Sequence, residues 1–417
     1  MEGYAGVSAS KTFEMRDVVS GFIKFDTQER EIINHPAFQR LRRIKQLALT
    51  NMVYPGAEHT RFEHSLGVMQ MATDMYDCIT EKSTYLLEHC LSMDPAGTQR
   101  WRKVIRLAAL LHDVGHAPFS HAGEDLLPMN MKSDTRFTHE DYSIAIIKHC
   151  FKDIIETHPI NNNYVIKVDE VTALLGDPSV KPTALSLLWK ELISGQLDAD
   201  KADYLLRDSL HLGVNYGIYD KNRLTRCMGL GILETEAPII AIQDGGWHIA
   251  ESLVIARYQM FNQVYFHKTR RIYDHHLYKA TKEILRRKGA EYYPAPSDFR
   301  DFLEFNDWTM LGELSAKNGG EHGEIVLNRN HYRCELETGL SPTEEEEKDI
   351  IKIQENFEKD GKKTFLDDKA TTSWYKFEKD IYIFDKKTYK TKPLSTESNI
   401  VKSMVSIPRL RRLYVER

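Results

Sequence analysis

The 417-residue sequence is poor in the features that mark several large protein classes. It has only five cysteines (Cys78, Cys90, Cys150, Cys227 and Cys334), odd in number, scattered and free of any CxxC pair. That argues against a zinc ribbon and a disulfide framework, and fits reduced thiols. No run approaches the ~18 apolar residues of a membrane span. The opening MEGYAGVSASKTFEMRD has no apolar stretch of signal-peptide length, so a cytoplasmic protein with no membrane partner is expected. Excess positive charge is missing too: a formal net charge of −5 gives no bulk attraction to nucleic acid, and any basic site must be local. No internal repeat or low-complexity linker is visible.

What is present is a chain able to bury a sizeable core, with 41% hydrophobic residues in two domains or one large domain with appendages. Its centre is the stretch WRKVIRLAALLHDVGHAPFSH, from Trp101 to His121. Val104, Leu107, Ala108 and Leu111 recur at helical spacing and predict a helix that ends near Gly115. Adjacent His112 and Asp113 sit at its C-terminal end, followed by His116 and His121. An imidazole beside a carboxylate packs poorly but suits a divalent metal.

Helical patterns flank this stretch. QEREIINHPAFQRLRRIKQL is split by Pro36, and its second piece carries Arg40, Arg42, Arg43 and Lys45, which reads as a solvated face. A helix with Leu66, Met69, Thr73, Tyr76 and Ile79 on one side carries His64 in its first turn. Thr138-His139-Glu140-Asp141 reads as a capping box opening another helix. In LDADKADYLLRDSLHLG, 100° per residue puts Asp200, Tyr204, Arg207, Asp208 and His211 on one face, too polar for an apolar core.

Further on, PIIAIQ, Asp244-Gly245-Gly246 and WHIA predict a short hairpin. A long helix is expected from ESLVIARYQ to Gly289, with Arg257, Phe261, Tyr265 and Lys268 on one stripe. Beyond residue 295 the composition turns polar, with strand-like pieces at EIVLNRN, HYRCELET and DIYIFD and an acidic helix at EEEEKDIIKIQENFEK. The last 32 residues hold nine Lys/Arg against two acids, which reads as an interface or nucleotide-site element, with nucleic-acid binding second.

His64, His112, Asp113 and Asp200 stand where apolar periodicity would otherwise put core. Two imidazoles and two carboxylates on three helices suit iron, manganese, zinc or magnesium, and leave octahedral positions for water and a substrate oxygen. His116, His121 and His139 would line the same cavity as phosphate ligands or proton donors. Arg61, Arg257 and Lys268 supply the fixed positive charge that a polyphosphate needs.

The order H…HD…D, carried by RFEHS, LLHDVGHAPFSH, THE and DADKADYLLRD, resembles the HD-domain metal-dependent phosphohydrolases. It is most similar to the deoxynucleoside triphosphate triphosphohydrolase branch, which includes mammalian enzymes joining a SAM domain to an HD domain. The shared motifs run from about Phe38 (FQRLRRIKQL) to the VYFHKT that holds Lys268. The resemblance implies a mainly α fold: an N-terminal tail at 1–20, a helical HD core at 21–290, and a smaller α+β region at 291–417 for assembly or regulation. It implies His64, His112, Asp113 and Asp200 as ligands of one divalent metal, with a further magnesium on the triphosphate. It places His116, His121, His139 and Glu140 at the α-phosphate and leaving oxygen, with His121 or else His139 as general acid. Arg61, Lys201, Tyr204, Asp208, Arg257 and Lys268 match residues at phosphates or sugar, and Gln46 and Leu47 those at sugar and base. Tyr265 matches an aromatic against C2′ that excludes a ribose hydroxyl.

The expected activity is therefore hydrolysis of dNTPs to deoxynucleoside and inorganic triphosphate, in nucleotide-pool control or antiviral and anti-phage defence. The alternatives are another phosphate ester (a nucleoside monophosphate, (p)ppGpp or a nucleic-acid end), or a nucleic-acid-binding regulator with a vestigial site. The family also implies a homo-oligomer, often a tetramer, with an activating nucleotide between subunits. Gln39 and Arg42 match nucleotide-contacting positions there. Three departures stand out. Ala48-Leu49-Thr50-Asn51 replaces a Gly-rich run at the base pocket, Phe261 replaces a histidine, and Asn34 replaces an acidic residue that reads guanine.

Overall fold

The computed structural model describes residues 11–131, 133–368, 380–404 and 410–417. The chain is mainly α, with a helical core and a smaller α+β C-terminal region. Three helices frame the core: Arg61–Lys82, Pro95–Leu111 and Ala199–Leu212. Each starts on its own chemistry. Thr60 and Glu63 form a capping box before the first, and Asp94 caps the second with Pro95 in its first turn. Asp198 caps the third, which Gly213 closes at φ 69°.

The apolar stripe read from the sequence is real: Val104, Leu107, Ala108 and Leu111 are fully buried. Polar groups bolt these helices together as well. Glu29 is buried, and its carboxylate accepts from Lys103 Nζ at 2.9 Å and from Arg106 Nε and Nη2 at 2.8 Å.

Several expectations need correction. The basic run after Pro36 is not a solvated face throughout: Arg40 is 1% exposed. The hairpin pairs Met228–Ile232 with Pro238–Gln243, and WHIA lies outside it, opening the Trp247–Met260 helix. The expected long helix is interrupted by a widened turn at Phe261–Tyr265 and restarts as Lys268–Arg287, capped by the His267 ring. EIVLNRN is no strand; its apolar part ends the Gly320–Leu327 helix, which packs on Lys268–Arg287.

HYRCELET and DIYIFD do supply strands, Arg333–Glu337 and Tyr382–Phe384. Tyr382–Phe384 runs parallel to Pro238–Gln243 in a four-stranded sheet. The basic C-terminus enters the fold: Arg412–Val415 is the central strand of a three-stranded sheet, between Arg333–Glu337 and Thr364–Asp367. We keep the division at residues 20 and 290 as a proposal, since packing crosses it: Ile381, Ile383, Leu394 and Val401 join the same core as Ile23 and Leu107.

Candidate metal centre and active site

Three elements converge on His64. Its ring is fully buried in the first turn of the 61–82 helix, and Nδ1 lies 2.9 Å from Asp203 Oδ2. That contact assigns the proton to Nδ1 and turns Nε2 toward Asp200 Oδ1 at 3.0 Å and Asp113 Oδ2 at 3.5 Å. His112 closes the group: its Nδ1 donates to Ala109 O at 2.8 Å. Its Nε2 stands 3.3 Å from Asp113 Oδ1 and 3.9 Å from Asp200 Oδ1, buried and without a hydrogen-bond partner among the described residues.

His112 Nε2 and His64 Nε2 thus both face Asp113 and Asp200, a donor set that suits a divalent cation. Burial would lower the His64 pKa, but hydrogen bonds to Asp200 and Asp203 and the charge of Asp113 outweigh it and raise it to about 10. A proton and a metal therefore compete for Nε2. Burial would likewise raise Asp113, but Arg61, His112 and His116 hold it well below the usual range. Arg61 Nη1 donates to its Oδ2 at 2.5 Å.

A second cluster stands beside the first. His116 stacks on His139 at 3.9 Å between ring centres, and the His121 ring packs edge-on to both. Glu124 organises them, 2.7 Å from His139 Nδ1 and 3.0 Å from His121 Nδ1. The stacked pair is split in charge. Burial opposes ionisation of His139, but Glu124 overrides it and raises the ring to about 9. Burial, Arg61 and His139 together push His116 well below its ordinary value. One ring is a cation and its neighbour neutral, an arrangement suited to holding an anion beside an acid–base group.

Residues 61–207 match the HD domain family, and residues 219–371 match the HD-associated region. An uncharacterised protein of Methanocaldococcus jannaschii is 33% identical over 364 residues, 85% of this chain and 68% of that protein. The chain belongs to the HD-domain phosphohydrolases, in the dNTPase-like group. The SAMHD1 homologue of Dictyostelium discoideum, a deoxynucleoside triphosphate triphosphohydrolase, is 32% identical over 50% of this chain but only 38% of its own length. The crystal structure of a hypothetical protein from Aquifex aeolicus superposes with a TM-score of 0.78 at 28% identity, covering 98% of this chain and 97% of that one. No described helix is long and apolar enough to cross a membrane.

The HD cavity, of about 540 Å³, brings together most of the expected site. His112, Asp113, Asp200, His116, His121, His139 and Glu140 line it, joined by Gln46, Arg61, Lys201 and Tyr204. Lys201 is tethered, its Nζ donating to Gly195 O at 3.0 Å and to Asp198. Tyr265 stands behind Tyr204, ring centres 6.0 Å apart, and its hydroxyl donates to Asp208 Oδ2 at 2.6 Å. His59 holds the other oxygen of Asp208 at 2.7 Å.

Leu47 is a core residue, and Arg257 lies 5.5 Å from the Phe261 ring. Lys268 opens the 268–287 helix and is not among the cavity-lining residues. Gln39 and Arg42 bond to each other at 2.9 Å, with Arg42 stacked 3.5 Å above Phe62, away from the cavity.

Of the polar face expected on the 199–212 helix, Arg207 turns inward to Asp203 and Asp17. Sequence reasoning missed Asp203 and Glu124. Each lies three residues after an expected site residue, Asp200 and His121, the spacing at which helical side chains meet.

Proposed function

We propose that this protein hydrolyses deoxynucleoside triphosphates to deoxynucleoside and inorganic triphosphate, in nucleotide-pool control or defence against viruses and phage. The observation that carries the reading is the cavity that gathers His112, Asp113, Asp200, His116 and His139 with Arg61, Lys201 and Tyr204, and behind Tyr204 the Tyr265 ring, its hydroxyl fixed on Asp208. A locked aromatic against C2′ makes an added hydroxyl clash and leaves it without a partner. Similarity to SAMHD1 relatives supports the same substrate class.

His64, His112, Asp113 and Asp200 hold the metal, which when bound acts as a Lewis acid on water and phosphate. The water oxygen joins the α-phosphorus and releases a proton to solvent, the bond from phosphorus to the 5′-oxygen breaks, and His121 gives that oxygen its proton, with His139 the alternative donor. Cationic His139 holds a phosphate oxygen, with Glu140 beside it. Arg61 and Lys201 on the cavity wall offset the triphosphate charge, with any further magnesium bound to the substrate. Gln46, on the cavity wall, faces the sugar and base, and Leu47 backs it from the core.

The active form is a homo-oligomer, a tetramer by family analogy, with a nucleotide at Gln39 and Arg42 between subunits. Asn34 weighs against guanine there. The test incubates the protein with dNTPs and rNTPs, singly and mixed, with Mn²⁺ or Mg²⁺. Turnover of dNTPs alone, lost in His112→Ala, supports the reading. Monophosphate hydrolysis moves it to another ester, and salt-dependent DNA binding that survives His112→Ala without turnover points to a vestigial site.

A further inference from the structure

The loop that leaves the His-Asp pair is bent in an unusual way. Phe119 and Ser120, consecutive and neither of them glycine, both sit in the left-handed region at φ 61° and φ 57°. Such backbone persists only where its surroundings over-determine it. His121 follows directly, so this turn sets where its ring stands.

The fastening comes from far along the chain. Asp307, 1% exposed, begins the Asp307–Ser315 helix of the C-terminal region, but the helix is capped by Asn306. The Asp307 carboxylate serves the catalytic loops instead. Oδ1 accepts from Phe119 N at 2.7 Å, and Oδ2 from Lys45 N at 2.8 Å. Ser120 completes the knot: its hydroxyl donates to Lys45 O at 2.6 Å and accepts from Arg61 Nε at 2.7 Å. Arg40, also 1% exposed, braces it from behind through His116 O at 2.9 Å and Phe305 O at 2.8 Å. One carboxylate thus ties the segment before Gln46, the turn before His121 and, through Ser120, the Arg61 side chain.

We propose that Asp307 is a positioning residue for the HD site: it holds the Phe119–Ser120 turn and the Lys45–Gln46 segment in the register that aims His121 and Arg61 into the cavity. The kinetic part rests on the proposed phosphate-ester hydrolysis; the fastening itself does not. The C-terminal region then completes the active site from behind, with none of its described residues lining the cavity.

The test compares wild type with Asp307→Asn, Asp307→Ala and, as control, Trp308→Ala, whose side chain is 66% exposed. Hydrogen exchange of peptides covering 112–126, read at constant metal content, needs no turnover. Faster exchange confined to 112–126 and 40–47 in the Asp307 variants, and absent in Trp308→Ala, is expected. No change there, or a rise spread over the molecule, overturns the proposal. With dNTP substrate, Asp307→Asn should lower kcat about 100-fold with little change in KM, the scale of a small misplacement of catalytic groups. In a His121→Ala background it should cost clearly less than in wild type, the remainder passing through Arg61. Full, additive losses would mean a merely structural role. If wild type spares dNTPs, the functional reading falls while the exchange data still decide on Asp307.

Discussion

His64 shows how one imidazole is divided between two tasks. Its Nδ1 is fixed by Asp203, so that Nε2 alone faces Asp113 and Asp200. Removing the outer partner should loosen the metal without removing a ligand. We expect Asp203→Asn to weaken metal affinity roughly 10–100-fold, measured by competition with a chelator. Tyr265 makes a separate prediction. Tyr265→Ala should admit ribonucleotides, raising the rNTP-to-dNTP ratio of kcat/KM by about 10-fold or more, whereas Tyr265→Phe should keep most of the discrimination because the ring remains. An unchanged ratio in Tyr265→Ala would place the gate elsewhere.

At the scale of elements, two close approaches are specific enough to break. Gly115 passes flat against the His139–Ile146 helix; an added Cβ would fall 2.2 Å from Ser143 N and 2.4 Å from His139 O. Gly115→Ala must therefore push that helix away and separate the stacked His116 and His139 rings. The expected outcome is a folded protein losing about 1–3 kcal/mol and about 100-fold in kcat, read from denaturation and initial rates.

The second is the buried Glu29 anchor. Burial alone would raise its carboxyl, but Lys103 and Arg106 overcome this and hold it far below the ordinary 4.5. A carboxyl depressed on folding binds fewer protons native than unfolded, so its contribution is complete above pH 4.5 and shrinks as pH falls below it. Glu29→Gln leaves two buried cations short of charge and should cost about 3–5 kcal/mol at pH 7. The gap between the urea midpoints of wild type and variant should hold from pH 7 to 5 and narrow as the pH is taken below 4.5.

Taking the molecule whole, what could be read in advance follows from how local each signal is. That His64, His112, Asp113 and Asp200 come together was legible because His112-Asp113 and Asp200 interrupt apolar stripes whose helical period is clear. Capping at Thr138 was legible because Asp141 completes a short box. The break at Phe261–His267 was not: one extra residue in a turn leaves the pattern on either side intact, and only packing shows the offset. EIVL misled because a short β-branched run is ambiguous until burial against Lys268–Arg287 decides for helix. Asp307 was out of reach, since its partners Lys45 and Phe119 lie 262 and 188 residues away, and no spacing rule links them.

The central claim is that the HD site releases triphosphate in one piece from a deoxynucleotide. The most direct measurement is ³¹P NMR of the products formed from a dNTP and Mn²⁺-loaded protein in ¹⁸O-water, with the Mn²⁺ removed before spectra are taken. The account predicts inorganic triphosphate carrying one ¹⁸O on a terminal phosphate and an unlabelled deoxynucleoside. Pyrophosphate or orthophosphate as the first product, or label in the nucleoside hydroxyl, would contradict it.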